Sequence, residues 1–299
     1  ESDEPAVSEH LRLAELPSRF ARRQSHERAQ LRLVRDFDAL VRGAAAANPS
    51  RSSGPRIGFA TFGSGCWHLA LDALLAHALA QRGARPGLLI CDIPDLPMCA
   101  ERTIHAHQID RCVGCVSDKR GLLDACGIPW RGVSALVAPG ALARATAVVA
   151  GLDGDGIEAH VERGWPIGQW LHVSASHFLR CDGRGPEPEK VDARRRLLVN
   201  AIVSVEAVER WLGEVRPDAV VALGGAYIMW RVVLELARAR GIPVTCREMG
   251  KGGWDSHIYA LNADSMSPDL DAAWAEARDR LLSTEEEAAV DDFVNALPA

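Results

Sequence analysis

Four cysteines and two histidines lie within 25 residues, in the stretch CDIPDLPMCAERTIHAHQIDRCVGC that runs from Cys91 to Cys115. Cys112 and Cys115 form a C-x2-C pair, and Cys91 and Cys99 precede them. Four thiolates suit a tetrahedral Zn²⁺ ion, and they equally suit an iron–sulfur cluster such as [4Fe-4S]. We therefore predict a structural metal site whose ligands are Cys91, Cys99, Cys112 and Cys115.

Two other interpretations of these thiols stay open. Cys112 and Cys115 could form a redox disulfide, or the thiols could be buried without a shared function. His105 or His107 could replace one cysteine as a ligand, and Cys126 is a spare thiol. We expect the cysteines in apolar or isolated contexts to lie in the core: Cys66, Cys181 and Cys246.

The composition is that of an ordinary globular protein. The chain has 299 residues, is 47% hydrophobic and carries a formal net charge of −6, so it indicates no surface for nucleic acid. No apolar run reaches the ~18 residues of a transmembrane helix, and the first residues lack the pattern of a signal peptide. Eight cysteines are too dilute for a disulfide scaffold. We expect a cytoplasmic protein with no nucleic-acid partner and no transmembrane segment.

Two strand–helix–strand patterns predict the fold. The first joins the strand RIGFATFG, a helix from Cys66 and the strand ARPGLLICD, and the second joins RPDAVVALGG, AYIMWRVVLELARARG and IPVTCREMG. Such units imply parallel strands with right-handed crossovers. The predicted class is α/β, a Rossmann-like parallel sheet with helices on both faces, preceded by a helical N-terminal segment. A long helix from Pro188 to Gly213 joins the units, and Ser283-Thr284 begins a C-terminal helix.

The domain boundaries follow from breaks in this pattern. Residues 1–47 have apolar positions at helical spacing and form a helical appendage. Residues 48–55, NPSRSSGP, form a linker. Residues 56–299 form the Rossmann-like domain, with a cysteine-rich loop at 91–126 and helices at its C-terminal end.

Glycine turns follow the first strand of each unit, as Gly63-Ser64-Gly65 and as Gly224-Gly225. In open parallel sheets ligands collect at the carboxyl ends of strands, so both turns and Glu248 should edge one cleft. His68, in the first turn after the first glycines, is a candidate base. His257 and Glu248 flank the glycine-rich segment MGKGGWDS, which we expect to be a binding loop.

Several common nucleotide and hydrolase motifs are missing. The dinucleotide fingerprint needs glycine where His68 stands, and Asp92 lies too near to serve as its ribose-binding acid. There is no G-x-x-x-x-G-K-[ST] phosphate loop and no G-x-S-x-G nucleophile turn. We therefore do not expect NAD, a P-loop reaction or a serine hydrolase.

The chain from about Arg56 onward resembles the N-terminal domain of bacterial GT-B glycosyltransferases, especially those of capsular-polysaccharide synthesis. The resemblance lies in the strand-turn-helix run 217–250 and in a closing W-x-x-x-R-D-x-x-L-[ST]-x-E-E pattern. The matching positions are Pro217-Asp218, Gly224-Gly225, Gly241-Ile242-Pro243-Val244, Glu248, Gly250, Trp274, Arg278-Asp279, Leu282, Ser283 and Glu286-Glu287. The pattern C-D-x-x-x-L-P-x-C followed by C-x-x-C is also similar to members of that group.

The resemblance implies an acceptor-side domain of a glycosyltransferase, with a sugar nucleotide and a hydroxyl acceptor as partners. His68 and Glu248 would be its catalytic residues, and the substrate would contact Gly63, Ser64, Gly65, Gly224, Gly225 and His257. GT-B enzymes have a second such domain for the nucleotide sugar, so we expect the chain to be a fragment whose C-terminal domain is missing. The alternative is a non-catalytic Rossmann-like module that binds a metal or performs redox chemistry.

Overall fold

A six-stranded sheet forms the centre of the fold. The computed structural model describes residues 53–63, 66–93, 96–98, 110–250, 253–265, 274–275 and 278–295. Its strands are β1 (Arg56–Thr61), β2 (Arg85–Ile90), β3 (Trp130–Gly132), β4 (Ala219–Leu223), β5 (Val244–Gly250) and β6 (Gly253–Leu261). They lie in the order β3-β2-β1-β4-β5-β6, and all neighbours are parallel except β5 and β6. The predicted α/β class is confirmed, with one antiparallel edge strand.

Helices make the connections between the strands. They are α1 (Cys66–Gln81), α2 (Asp110–Cys126), α3 (Ala141–Ala150), α4 (Gly154–Glu158), α5 (His172–Leu179), α6 (Pro188–Val215), α7 (Ile228–Ala239) and α8 (Thr284–Asn295). The long helix predicted before the second unit is confirmed as α6. The predicted appendage at 1–47 lies outside the described residues, as does most of the linker.

The two faces of the sheet belong to two separate apolar clusters. Phe59 and Leu88 pack with residues of α1 and α2, whereas Ala60 and Leu89 pack with residues of α6 and α7. Successive residues of a strand point to opposite faces, so this alternation places helices on both sides. Because both faces are covered, the strands read as continuous apolar runs, and this is why they were predictable.

The C-terminal part of α6 lies against β1. An added Cβ at Gly58 would stand 2.6 Å from the Trp211 ring, so this strand has room for the indole only because it carries no side chain there. Trp211 is 1% exposed. The missing side chain at Gly58 therefore lets α6 approach the sheet closely.

Three parts of the sequence prediction need correction. The loop predicted at 91–126 is helical from Asp110 to Cys126, because Leu122 and Leu123 pack against the sheet. The segment around MGKGGWDS, predicted as a loop, belongs largely to the antiparallel strands β5 and β6, and its binding role stays a prediction. The short strand β3 was not predicted, since three residues give no periodicity.

Residues 1–266 and residues 267–299 form two separate units. In the second unit, Ser283 and Glu286 make reciprocal hydrogen bonds at the start of α8, with Ser283 N donating to Glu286 Oε2 at 2.8 Å. This capping box confirms the predicted helix start. Of the helices described, none combines the length and apolar character needed to cross a membrane.

Candidate functional site

The strand order creates a crevice between β1 and β4. From β1 the chain moves outward to β2 and β3, and from β4 it moves the other way to β5, so the connections diverge at this pair. Gly63 follows β1, and Gly224-Gly225 follow β4, at the same carboxyl edge. In open α/β sheets such a switch point is the usual place for a ligand. The predicted turns are thus brought to neighbouring strands.

Hydrogen bonds and close packing fix the turn after β4. Gly224 and Gly225 have φ values of +64° and +90°, which favour glycine. Gly224 N donates to Arg247 O at 2.8 Å, and Ser265 N donates to Gly224 O at 2.7 Å. A Cβ on Gly225 would lie 2.8 Å from Cys246 Sγ. Both glycines are buried, and so are the flanking residues Leu223 and Ala226.

A buried ion pair lies behind the first turn. Arg247 Nε and Nη2 both donate to Asp72 Oδ1, at 2.9 and 2.6 Å, and Thr61 Oγ1 donates to Asp72 Oδ2 at 2.6 Å. Burial raises the pKa of Asp72, and the Arg247 guanidinium and the Thr61 hydroxyl oppose that rise. Arg247 Nη2 also donates to His68 O at 2.8 Å, whereas the buried Nη1 has no hydrogen-bond partner among the described residues. The pair ties the end of β5 to the start of α1.

A second buried cation holds the ends of β1 and β2. Lys119 of α2 is 1% exposed, and its Nζ donates to Phe62 O at 2.9 Å and to Cys91 O at 3.2 Å. These carbonyls lie just beyond the last paired residues of the strands, where the sheet leaves them unsatisfied. Lys119 is one of three lysines in the chain, and nothing in its sequence context marked it as buried.

The remaining predicted site residues have different positions. His68 and Glu248 are half-buried, in the first turn of α1 and at the end of β5. Ser64 and Gly65 lie outside the described residues. His257 is on β6, paired with Met249, and its side chain is outside the description. The carboxyl edge of the sheet thus carries Gly63, the two β4 glycines, the first turn of α1 with His68, and the end of β5 with Glu248, and a shared ligand at these residues stays a prediction.

Two of the four predicted metal ligands have described side chains, and both are buried thiols. Cys91 follows β2 and Cys115 is on α2. Cys115 and Lys119 are four residues apart and share a helix face, and Lys119 reaches Cys91 O, so the two cysteine segments converge. The side chains of Cys99 and Cys112 are outside the description. Among described side chains, no group of three or more His, Cys, Asp or Glu is arranged to hold a metal ion.

The helical setting of Cys112 and Cys115 bears on the disulfide alternative. Residues three apart on a helix have Cβ atoms about 5–6 Å apart, whereas a disulfide needs about 3.5–4.5 Å. Cys112 and Cys115 both lie within α2, and the shared metal stays a prediction.

The other described cysteines behave differently from one another. Cys246 is fully buried in the sheet, and burial raises the pKa of its thiol to about 12, so the predicted core position is confirmed. Cys181 is exposed, because it follows the end of α5, so its predicted core position is wrong. The side chain of Cys66 lies outside the description.

The Asp92 carboxylate has a structural role, because it accepts hydrogen bonds from the segment after β3 and from α2. Its carboxylate accepts from Ser134 N at 2.8 Å and from Ser134 Oγ at 2.6 Å, and Arg120 Nη2 lies 3.3 Å away. A Cβ on Gly132 would collide with this carboxylate. Asp92 thus binds the segment after β3, which agrees with the sequence argument against a ribose-binding role.

Sequence reasoning missed a pair of aromatic side chains at this edge. The Tyr227 hydroxyl lies 2.9 Å from His177 Nδ1, and the two rings meet edge to face at 5.0 Å between centroids. Tyr227 follows the Gly224-Gly225 turn after one residue, Ala226, whereas His177 comes from α5, 50 residues earlier. The tyrosine after the glycines was the available signal, but its partner could not be read from spacing.

Comparisons with known proteins show no family for this chain. No protein-family model and no curated protein matches the chain. A solved structure of a cyclo(L-leucyl-L-phenylalanyl) synthase is similar with a TM-score of 0.34 and 14% sequence identity, over 67% of this chain and 86% of that one. A similarity of this size supports no functional argument.

Proposed function

We propose that this chain is the acceptor-side domain of a glycosyltransferase that moves a sugar from a nucleotide donor to a hydroxyl acceptor. The observation that carries the proposal is the crevice between β1 and β4, edged by both glycine turns. Parallel sheets place their ligands at such a switch point. The sequence resemblance to GT-B glycosyltransferases supplies the reaction.

Sugar transfer to a hydroxyl needs a group that accepts the hydroxyl proton as the new bond forms. His68 and Glu248 are the candidates, because both are half-buried side chains at the strand ends. Arg247 holds the first turn of α1, which carries His68, through His68 O. Glu248 directly follows Arg247 in β5, so the buried ion pair positions both candidates.

The cysteine-ligated metal is a separate part of the proposal. Cys91, Cys99, Cys112 and Cys115 would hold zinc, or alternatively a [4Fe-4S] cluster. The burial and convergence of Cys91 and Cys115 fit such a site. The metal would supply structural cross-linking, by fixing the segment between β2 and α2 beside the crevice.

The activity test uses the protein expressed from its complete reading frame and a panel of UDP-, GDP-, ADP- and CMP-activated sugars. We expect nucleotide release from at least one donor, and a loss of about 10²–10⁴-fold in turnover if His68→Ala or Glu248→Gln removes the base. His77→Ala, on the same helix, and Glu235→Gln, on α7, are the matched controls. Release from no donor would refute the glycosyltransferase proposal, and full turnover in His68→Ala would remove His68 as the base.

The metal test is independent of activity. Elemental analysis should find about one zinc per chain, or several irons with visible colour for a cluster. Cys112→Ser and Cys115→Ser should lower the metal content and the melting temperature, whereas Cys181→Ser, an exposed thiol, should change neither. Unchanged metal content in the first two variants would exclude these ligands.

A further inference from the structure

The pair Tyr227–His177 lies at the carboxyl edge of the sheet, beside the crevice. Both side chains are half-buried, so each has one part packed in the protein and one part open to solvent. The glycines before Tyr227 are buried. Ala226 is buried as well, so Tyr227 is the first residue after the β4 turn whose side chain is partly open to solvent.

The Tyr227 ring is held by a row of aromatic neighbours. Its centroid lies 6.3 Å from that of Trp230, which lies 5.7 Å from that of Phe62. Trp230 is fixed in turn, because its Nε1 donates to Ala60 O at 2.9 Å. The start of α7 is also anchored, since Ile228 N donates to the buried Ser174 Oγ at 2.8 Å. The tyrosine thus rests on a rigid support and needs little ordering when a ligand binds.

Polar groups surround the Tyr227 ring without making it ionic. Burial first, and then the Glu248 charge, raise the pKa of Tyr227, while the Arg180 charge lowers it. Burial and the Arg180 charge lower the pKa of His177. Both rings are therefore neutral near pH 7, and a carboxylate and a guanidinium lie close enough to affect them electrostatically. The cluster offers an aromatic face, neutral hydrogen-bonding atoms and one charge of each sign.

Such a mixture matches a ligand that is apolar on its ring faces and rich in hydroxyl groups at its rim. Sites for small molecules combine aromatic walls with a few placed polar groups that fix orientation. Tyrosine suits this role because it joins a large apolar surface to one polar handle. Carboxylates, imidazoles and guanidinium groups bind hydroxyls as acceptors or donors.

We infer that Tyr227, His177 and Glu248 form a subsite for a sugar ring, with the Tyr227 ring against the sugar face and the polar groups on its hydroxyls. The inference rests on the proposed function, which it deepens by naming where the acceptor sugar binds.

The test measures binding of methyl glycosides and disaccharides by saturation-transfer NMR, with Tyr227→Phe, Tyr227→Ala and His177→Gln. We expect Tyr227→Phe to weaken binding about fivefold, by loss of the hydroxyl bonds. Tyr227→Ala should weaken it by about tenfold or more, by loss of the ring as well. Tyr259 is the other of the two tyrosines and is 61% exposed on β6, so Tyr259→Ala is the matched control and should bind as the native protein does.

The possible outcomes separate this inference from the proposed function. Glycoside binding that is equal in the native protein, Tyr227→Ala and Tyr227→Phe overturns the subsite and leaves the glycosyltransferase proposal intact. Donor cleavage by the complete protein with no glycoside binding also overturns the subsite and leaves the glycosyltransferase proposal intact. Absence of both donor cleavage and glycoside binding overturns both proposals. Tyr227→Phe keeps the ring and its packing, so its result is informative even if Tyr227→Ala does not fold.

Discussion

Removing the charge of Asp72 should destabilise the first unit strongly. Asp72 and Arg247 are 3% and 1% exposed, and their closest atoms are 2.6 Å apart. Asp72→Asn keeps the shape of the side chain but leaves the Arg247 guanidinium buried without its counter-charge. Breaking a buried pair in this way costs about 3–5 kcal/mol, a large part of the ~5–15 kcal/mol that stabilises a typical domain.

The measurement is urea unfolding followed by circular dichroism. Glu214→Gln is the matched control, because Arg210 and Glu214 form an ion pair at 2.9 Å but are 55% and 43% exposed. An exposed pair four residues apart on a helix contributes only about 0.3–0.5 kcal/mol. We therefore expect Asp72→Asn to lower the unfolding midpoint far more than Glu214→Gln does.

The double variant Asp72→Leu, Arg247→Met provides a second arm of the same experiment. It removes both charges, so it should recover most of the stability lost in Asp72→Asn. If Asp72→Asn is no less stable than Glu214→Gln, the buried pair does not hold α1 and β5 together. If the double variant is as unstable as the single one, the loss comes from packing rather than from an unpaired charge.

Three further measurements test other features. In Tyr259→Phe the remaining tyrosine is Tyr227, and the pH midpoint of its phenolate absorbance should lie above 10.0, the ordinary pKa of tyrosine, because burial raises the pKa of Tyr227. A midpoint at or below pH 10.0 would contradict the packing. Ser204→Ala should be neutral or stabilise by about 1 kcal/mol in urea unfolding, because Ser204 Oγ is buried and no residue in the described part of the chain is its hydrogen-bond partner; a clear loss of stability would reveal a bound water. Gly58→Ala should lower the free energy of unfolding by about 1–3 kcal/mol, because its Cβ meets the Trp211 ring. Gly213→Ala lies in α6 and its Cβ meets nothing within 4 Å, so it should raise that free energy by about 0.5–1 kcal/mol. Equal effects of the two substitutions would show that α6 does not approach β1 closely.

The parts of the fold that local sequence specifies were predictable. The strands β1, β2 and β4 end in apolar runs, β5 follows from its place in the second strand–helix–strand pattern, and the glycine turns mark where β1 and β4 end. The edge strand β6 was missed because its residues Tyr259 and Leu261 are 61% and 68% exposed, so it lacks the apolar character of a buried strand. The helix α2 begins at Asp110, although its first turns contain glycine and cysteine, which are weak helix formers. Tertiary packing can override such a weak helix propensity.

The predicted site was incomplete for a related reason. Glycines and a histidine near a strand end can be recognised from their immediate neighbours. The groups that hold them come from distant positions: Asp72 and Arg247 are 175 residues apart, and His177 and Tyr227 are 50 apart. No spacing rule connects such pairs, so their contact becomes known only once the strand order is known.

The position of β1 has a consequence for how the chain folds. Its neighbour β4 is made much later, since Arg56 and Asp218 at the starts of the two strands are 162 residues apart. A ribosome adding about 5–20 residues per second would leave one edge of β1 unpaired for roughly ten seconds or more. An open apolar edge of this kind attracts other chains. We therefore expect the nascent protein to need a chaperone, or α6 as a temporary cover, until β4 arrives.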